Sequence, residues 1–362
     1  MLSQLEICKE VLGEKNSQYF SYKNNLATFY NEQGDYLKAL ELYSEIMQAL
    51  GDREVFNEMD YALCLVNMST CWNELGDVVT AIKYTEEAQT IYKRNIGVEH
   101  PRYLDLQDNL AGFYAAIGDY PKAIEMISQQ LTLVKKVLGE NSMAYLARLN
   151  NLASYYSYLG NYVSAIKIAE EAWAKSKGVL EVTQPLYATL LGNLANYYNA
   201  VENVKGAIEL TEESLEIKKR VLGTKHPDIA LSLNNLASYY FKSGNVMKAL
   251  DYFLKAFEIY AETGNGIGYS FVLQNLADCF YELGDMNTAI QYTKESLEKR
   301  LKIYGNKHEE YANSLFRLVS YSLAANDTTN VVPSFLELYE IRSGIIQEMF
   351  ANLTAKEREM YW

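Results

Sequence analysis

A chain of 362 residues with 49% hydrophobic side chains is too apolar to remain a disordered polymer. Its net charge of −13 leaves no basic footprint for nucleic acid or for an anionic membrane surface. Five prolines exclude long Pro-rich linkers, and no run of 18 apolar residues is available to span a bilayer, so the chain reads as cytoplasmic.

In chain order, residues 5–14 (LEICKEVLGE) return at 131–140 as LTLVKKVLGE. Residues 1–14 therefore read as the second helix of a repeat whose first helix is absent. Residues 15–346 then carry eight repeats. The heptapeptide NNLASYY at 150–156 recurs unchanged at 234–240, and related segments fill the register. The anchoring apolar residues are Leu26, Met68, Leu110, Leu152, Leu194, Leu236, Leu276 and Leu318, in steps of 42 with one step of 40. Each repeat predicts two helices. The first carries apolar residues at helical spacing, such as Leu149, Leu152 or Ala153, and Tyr156. In most repeats it ends at a Gly, as at Gly34 and Gly160, whereas repeat five has Glu202. Asp or Asn follows, a short polar residue able to cap the second helix. An Ala on the second helix (Ala39, Ala81, Ala123, Ala165, Ala207, Ala249, Ala289) marks close approach to the first. One such hairpin cannot bury its own apolar face, so the hairpins must stack.

Leu, Tyr, Gly-Asp-Tyr and Ala at these positions resemble the tetratricopeptide repeat. The 42-residue period, with turns such as LGTKHPDIA (222–230), is similar to the kinesin-light-chain subclass. The resemblance implies an all-α fold, a right-handed superhelical solenoid of antiparallel helix hairpins. It also implies a protein or extended-peptide ligand held in a concave groove. Arg317, Ser322 and Val331 depart from the signature in repeat eight, which reads as the exit of the array.

The residue before each anchor is Asn in seven repeats: Asn25, Asn67, Asn109, Asn151, Asn193, Asn235 and Asn275. It lies about 100° round the helix from the anchor. In the resembling family that direction is the groove. An amide offers both a donor and an acceptor, so a row of them can hold a peptide backbone. The competing reading has each Asn tying neighbouring repeats together. In pairs such as Tyr155-Tyr156, the second Tyr fits the core and the first packs on an adjacent repeat. Tyr158, Phe241 and Tyr281 come later in their helices and are candidates for apolar pockets in the groove.

Chaperone-binding relatives grip a terminal carboxylate with first-helix cations. The matching positions here are Asn24, Val66, Asp108, Asn150, Gly192, Asn234 and Gln274, so no such clamp is expected. No metal or cofactor is expected either. His100, His226 and His308 recur at one turn position, at roughly 10 Å per stacked layer, too far apart to share an ion. Cys64 and Cys71 lie about 10 Å apart along one helix, too far to bridge, and the four cysteines read as small buried hydrophobes. The stretch TGNGIG (263–268) lacks a phosphate-loop ending and reads as a tightened inter-repeat turn where the period drops to 40. No catalytic constellation occurs, so the chain itself reads as a non-enzyme.

After Pro333 an apolar helical pattern leads to residues 347–362. There Thr354 and Glu357 form a capping box that opens a further helix. The pattern F-x-x-LT-x-KERE-x-YW (350–362) resembles the junction between such repeats and a CHAT domain, a caspase-like His/Cys peptidase found mostly in bacterial proteins. None of that domain's catalytic residues maps onto this chain. The alternative is an adaptor like the kinesin light chains, with no enzyme attached.

Overall fold

A computed structural model describes residues 2–13, 16–50, 57–179 and 185–352, and the capping box at Thr354 lies outside them. Seventeen α-helices and no strands occur among the described residues. They group into two compact units, Met1–Val179 and Leu180–Trp362.

In the first unit, α1 (Leu2–Leu12) precedes four hairpins. These pair α2 (Ser17–Glu32) with α3 (Tyr36–Leu50), α4 (Glu58–Glu74) with α5 (Val78–Asn95), α6 (Pro101–Ala116) with α7 (Tyr120–Leu138), and α8 (Met143–Tyr158) with α9 (Tyr162–Ser176). In α1, Cys8 and Leu5 join the core built around Phe20, Ala39 and Tyr43, so this helix packs on α2 as a second helix would. The second unit holds four more hairpins. They pair α10 (Pro185–Ala200) with α11 (Val204–Leu222), α12 (Pro227–Lys242) with α13 (Val246–Thr263), α14 (Gly266–Glu282) with α15 (Met286–Tyr304), and α16 (Glu309–Ala324) with α17 (Thr328–Asn352).

The turn inside each hairpin follows from its residues. Gly160 and Gly244 sit at φ +74 and +82, a region closed to most side chains. Glu202 holds the same backbone at φ +63 without the excuse of a missing Cβ. The Asp or Asn that follows caps the second helix: Asp77 Oδ1 accepts from Thr80 N at 3.0 Å, and Asn203 Oδ1 from Gly206 N at 3.1 Å. All seven predicted Ala residues are fully buried, so the two backbones meet closely at that point. The shortened turn also behaves as read. Gly264 is left-handed at φ +70, and Asn265 caps α14 by accepting from Gly268 N at 2.9 Å.

Polar clips at a fixed spacing of 26 residues then lock several hairpins. Tyr61 OH donates to Glu87 Oε1 at 2.9 Å, Tyr269 OH to Glu295 at 2.8 Å, and Tyr311 OH to Glu337 at 2.9 Å. Deeper in, Ser214 Oγ donates to the Ala188 carbonyl at 2.8 Å, and Ser296 Oγ to that of Ser270 at 2.9 Å. In the Tyr pairs the first member is the more buried. Tyr155, Tyr197 and Tyr239 are buried, whereas Tyr156 and Tyr198 are half-buried. Tyr240, the second member of its pair, is buried in the hairpin core as expected, whereas Tyr156 and Tyr198 are less enclosed than the first members of theirs. The first sits in the joint with the neighbouring repeat, which encloses it more completely than one hairpin can.

Candidate functional site

Within each unit, consecutive first helices lie side by side, as α2 does with α4 and α12 with α14. Their shared face carries the Asn ladder. Asn25 is exposed, and Asn67, Asn109, Asn151, Asn193, Asn235 and Asn275 are half-buried. Two rungs tie neighbouring repeats: Asn67 Nδ2 donates to Asn24 Oδ1 at 3.2 Å, and Asn275 Nδ2 to Asn234 Oδ1 at 2.9 Å. No side-chain hydrogen bond joins Asn109, Asn151 or Asn235 to another described residue, and none of the three lines the clefts that open between these helices. One turn further on, Tyr239 OH donates to Asn196 Oδ1 of the preceding repeat at 2.6 Å. The first-helix layer is thus stitched at two heights.

Three clefts open between these helices. In the first unit, Phe20, Asn24, Asn25, Asp60 and Leu63 line a pocket of about 210 Å³ between α2 and α4. In the second, Leu231, Asn234, Ile267 and Phe271 line one of about 370 Å³ between α12 and α14. Another, of about 270 Å³, is lined by Phe241, Tyr281, Phe316, Arg317 and Tyr321. Phe241 and Tyr281 are therefore brought together on one pocket wall, and Tyr281 stacks on Tyr321 with centroids 4.6 Å apart. Tyr158 belongs to the first unit. It is 67% exposed and stacks on Tyr120 at 5.4 Å, not in one of these three clefts.

The third pocket holds a charged pair that sequence reasoning passed over. Arg317 Nη1 lies 2.7 Å from Asp278 Oδ1, which also accepts from Tyr321 OH and from Gln274 Nε2. Burial pushes the Asp278 carboxyl up, opposed by Arg317 and by the Tyr321 and Gln274 hydrogen bonds. Its signal in the sequence is a break in the ladder: Arg317 stands where the other repeats carry Asn. Phe271 and Phe316 were missed because they precede the anchors and resemble ordinary core positions. A second pair, Arg148 with Asp108, is buried between α6 and α8. Arg148 Nη2 lies 2.6 Å from Asp108 Oδ2, Nε donates to Gln130 Oε1 at 2.9 Å, and Nη1 to the Ala144 carbonyl at 3.0 Å. Burial raises Asp108 to about 6, against the pull of Arg148.

The three histidines do sit at turns, and they also cap the first helices. His100, His226 and His308 each accept through Nδ1 from the amide two residues on, at 3.1, 3.2 and 3.1 Å. Asn16 and Asn57 cap other first helices in the same way, while Ser142 and Asn265 accept from the amide three residues on. All four cysteines are free and buried, and burial pushes the Cys64 and Cys279 thiols up to about 12. No group of three His, Cys, Asp or Glu residues able to hold a metal occurs among the described residues. No helix among them is long and apolar enough to cross a membrane.

An all-helical stack of hairpins with a small-residue contact and a Gly-Asp turn defines a tetratricopeptide-type array. The tetratricopeptide repeat profile matches residues 104–174 and 186–262. It is similar to a single-substitution form of a Podosopora anserina protein described as a kinesin light chain with nearly identical TPR-like repeats. That likeness has 25% identity, covers 58% of this chain and 99% of that one, and has a TM-score of 0.51. A signal transduction ATPase with numerous domains from Pyrococcus horikoshii, bearing a tetratricopeptide repeat sensor, shares the fold at 15% identity. There 91% of this chain and 49% of that chain are covered, with a TM-score of 0.65. The apo form of RapI shares it at 16% identity over 78% and 98%, with a TM-score of 0.60. No curated protein matches the chain.

Proposed function

We propose that this chain is a non-catalytic scaffold whose first-helix face binds a protein through an extended peptide segment. What supports the reading is the half-buried amides of each unit, Asn109 and Asn151 in the first and Asn235 in the second, together with clefts of about 210 and 370 Å³ between first helices of those same units. Such amides can pair with any peptide backbone, and the clefts supply selectivity. Selection of phage-displayed random peptides on the chain tests it. Enriched peptides are expected to lose at least about tenfold in affinity when Asn109, Asn151 and Asn235 are all changed to Ala, with little change in melting temperature. Failure to enrich any peptide overturns the reading. A large loss of stability with unaltered affinity would assign the ladder to structure.

The narrower reading is a sensor arm that regulates a caspase-like CHAT peptidase in a larger bacterial protein. Its support is the resemblance of residues 350–362 to such a junction. A His and a Cys at successive strand ends, encoded after Trp362 in the natural gene, are expected. The second reading is an adaptor without an enzyme, favoured by the likeness to the kinesin-light-chain-type repeats. A gene that lacks the His/Cys pair selects it.

A further inference from the structure

The two clefts of the second unit form a matched pair. The first lies between the N-terminal halves of α12 and α14, where Leu231 (49% exposed) and Phe271 line it. The second lies mainly between α14 and α16, where Phe316 (52% exposed), Phe241 and Tyr281 line it. Their volumes are about 370 and 270 Å³. A cavity of about 150 Å³ already admits a benzene ring.

Their separation follows from helix geometry. On α14 the first pocket is lined around residues 267–271 and the second around 278–282. Eleven residues of helix rise about 16 Å. Moving over by one helix adds about 10 Å sideways. The pockets are therefore roughly 19 Å apart, which an extended chain at about 3.3 Å per residue covers in six residues. An even spacing keeps both side chains on one side of the strand.

Charge decides what flanks them. Among the charged residues that line the two pockets, Asp278 is matched by Arg317. The charges left at the rims are acidic: Asp228 at the first pocket and Glu282 at the second.

We propose that the second unit binds an extended peptide with two large apolar side chains six residues apart, each flanked on its outer side by a Lys or Arg. This rests on the groove reading above and specifies its ligand. The peptide lies across α14, one apolar group in each pocket, with its outer cations toward Asp228 and Glu282.

The probe is the labelled peptide Lys-Phe-Ser-Thr-Ser-Thr-Ser-Phe-Lys, with its phenylalanines six apart, measured by fluorescence anisotropy on the full chain. It is expected to bind at least about tenfold more tightly than the same peptide with the phenylalanines five apart, which point to opposite sides. A version with Glu at both ends is expected to bind about tenfold more weakly. Leu231→Ser and Phe316→Ser should each weaken binding several-fold. Both side chains are about half exposed, so the melting temperature should hold. Glu282→Lys, a surface change, should weaken the Lys-ended peptide and improve the Glu-ended one. Equal binding at both spacings, or indifference to Glu282→Lys, overturns the proposal. If phage-selected peptides bind through the ladder but lack this pattern, the groove reading survives and this inference falls. If no peptide binds at all, both fall.

Discussion

Each unit joins two consecutive first helices with an arginine–aspartate pair, and the two pairs serve different ends. In the first unit Arg148 is 4% exposed and spends its donors on Asp108, Gln130 and the Ala144 carbonyl. In the second, Arg317 is 41% exposed, stands on the wall of a pocket, and shares Asp278 with Tyr321 and Gln274. The first pair acts as a bolt inside the joint, at the cost of desolvating a full charge. The second forms part of a surface that a ligand can reach. The same pairing thus leaves an enclosed guanidinium in one unit and a solvent-facing one in the other. Depth decides which.

The sharpest way to break that comparison is to remove each arginine. Arg148→Ala leaves Asp108 buried and uncompensated, and should cost the first unit roughly 3–5 kcal/mol. Arg317→Ala should cost about 1 kcal/mol, because the guanidinium is partly solvated and Asp278 keeps the hydrogen bonds from Tyr321 and Gln274. Denaturant unfolding read through hydrogen exchange in α6, α7 and α8 against α14 and α16 separates the two; equal losses would erase the distinction.

Acid titration sharpens it next. Asp108 is raised to about 6 from an ordinary value of 3.8, so the native state holds its proton more tightly than the unfolded chain does. Its contribution to stability is therefore complete below about pH 3.8 and is lost as the pH rises through about 6. Asp108→Asn should remove a pH-dependent component on the order of 2–3 kcal/mol across that window. An unchanged slope would show that Arg148 keeps Asp108 ionised throughout.

A smaller effect concerns the hairpin turns. Glu202→Gly relieves a left-handed backbone at φ +63 and should stabilise the second unit by about 1 kcal/mol, whereas Gly160→Ala should cost the first about the same. Thermal melts of both variants check the opposite signs. Smallest of all is the His cap on α12. His226→Ala should cost about 0.5–1 kcal/mol, while His226→Asn should be neutral, since Asn57 caps α4 through the same contact. A loss in the Asn variant would point to a role for the ring beyond accepting one hydrogen bond.

Much of this was legible in the residues themselves. The Gly at most turns, the Asp or Asn after it and the buried Ala are local requirements. A left-handed backbone, an orphan amide and a close helix contact each admit few residue types. Repetition made them plain, because the same local demand recurs in every hairpin. The capping by His100, His226 and His308 was harder to see. An imidazole accepts only through an unprotonated nitrogen, and that role is indistinguishable in sequence from a plain turn residue. The rung bonds from Asn67 to Asn24 and from Asn275 to Asn234 depend on partners 43 and 41 residues away, and the period alone does not tell a tie from a free amide.

The order of hairpins, their caps and their period were determined by sequence alone, because each depends on contacts within a few residues. Which arginine is buried, which Tyr of a pair sits in the joint, and which apolar residues line a cleft were decided only by tertiary structure. Those outcomes depend on how far one helix shields the next, a distance no single repeat encodes.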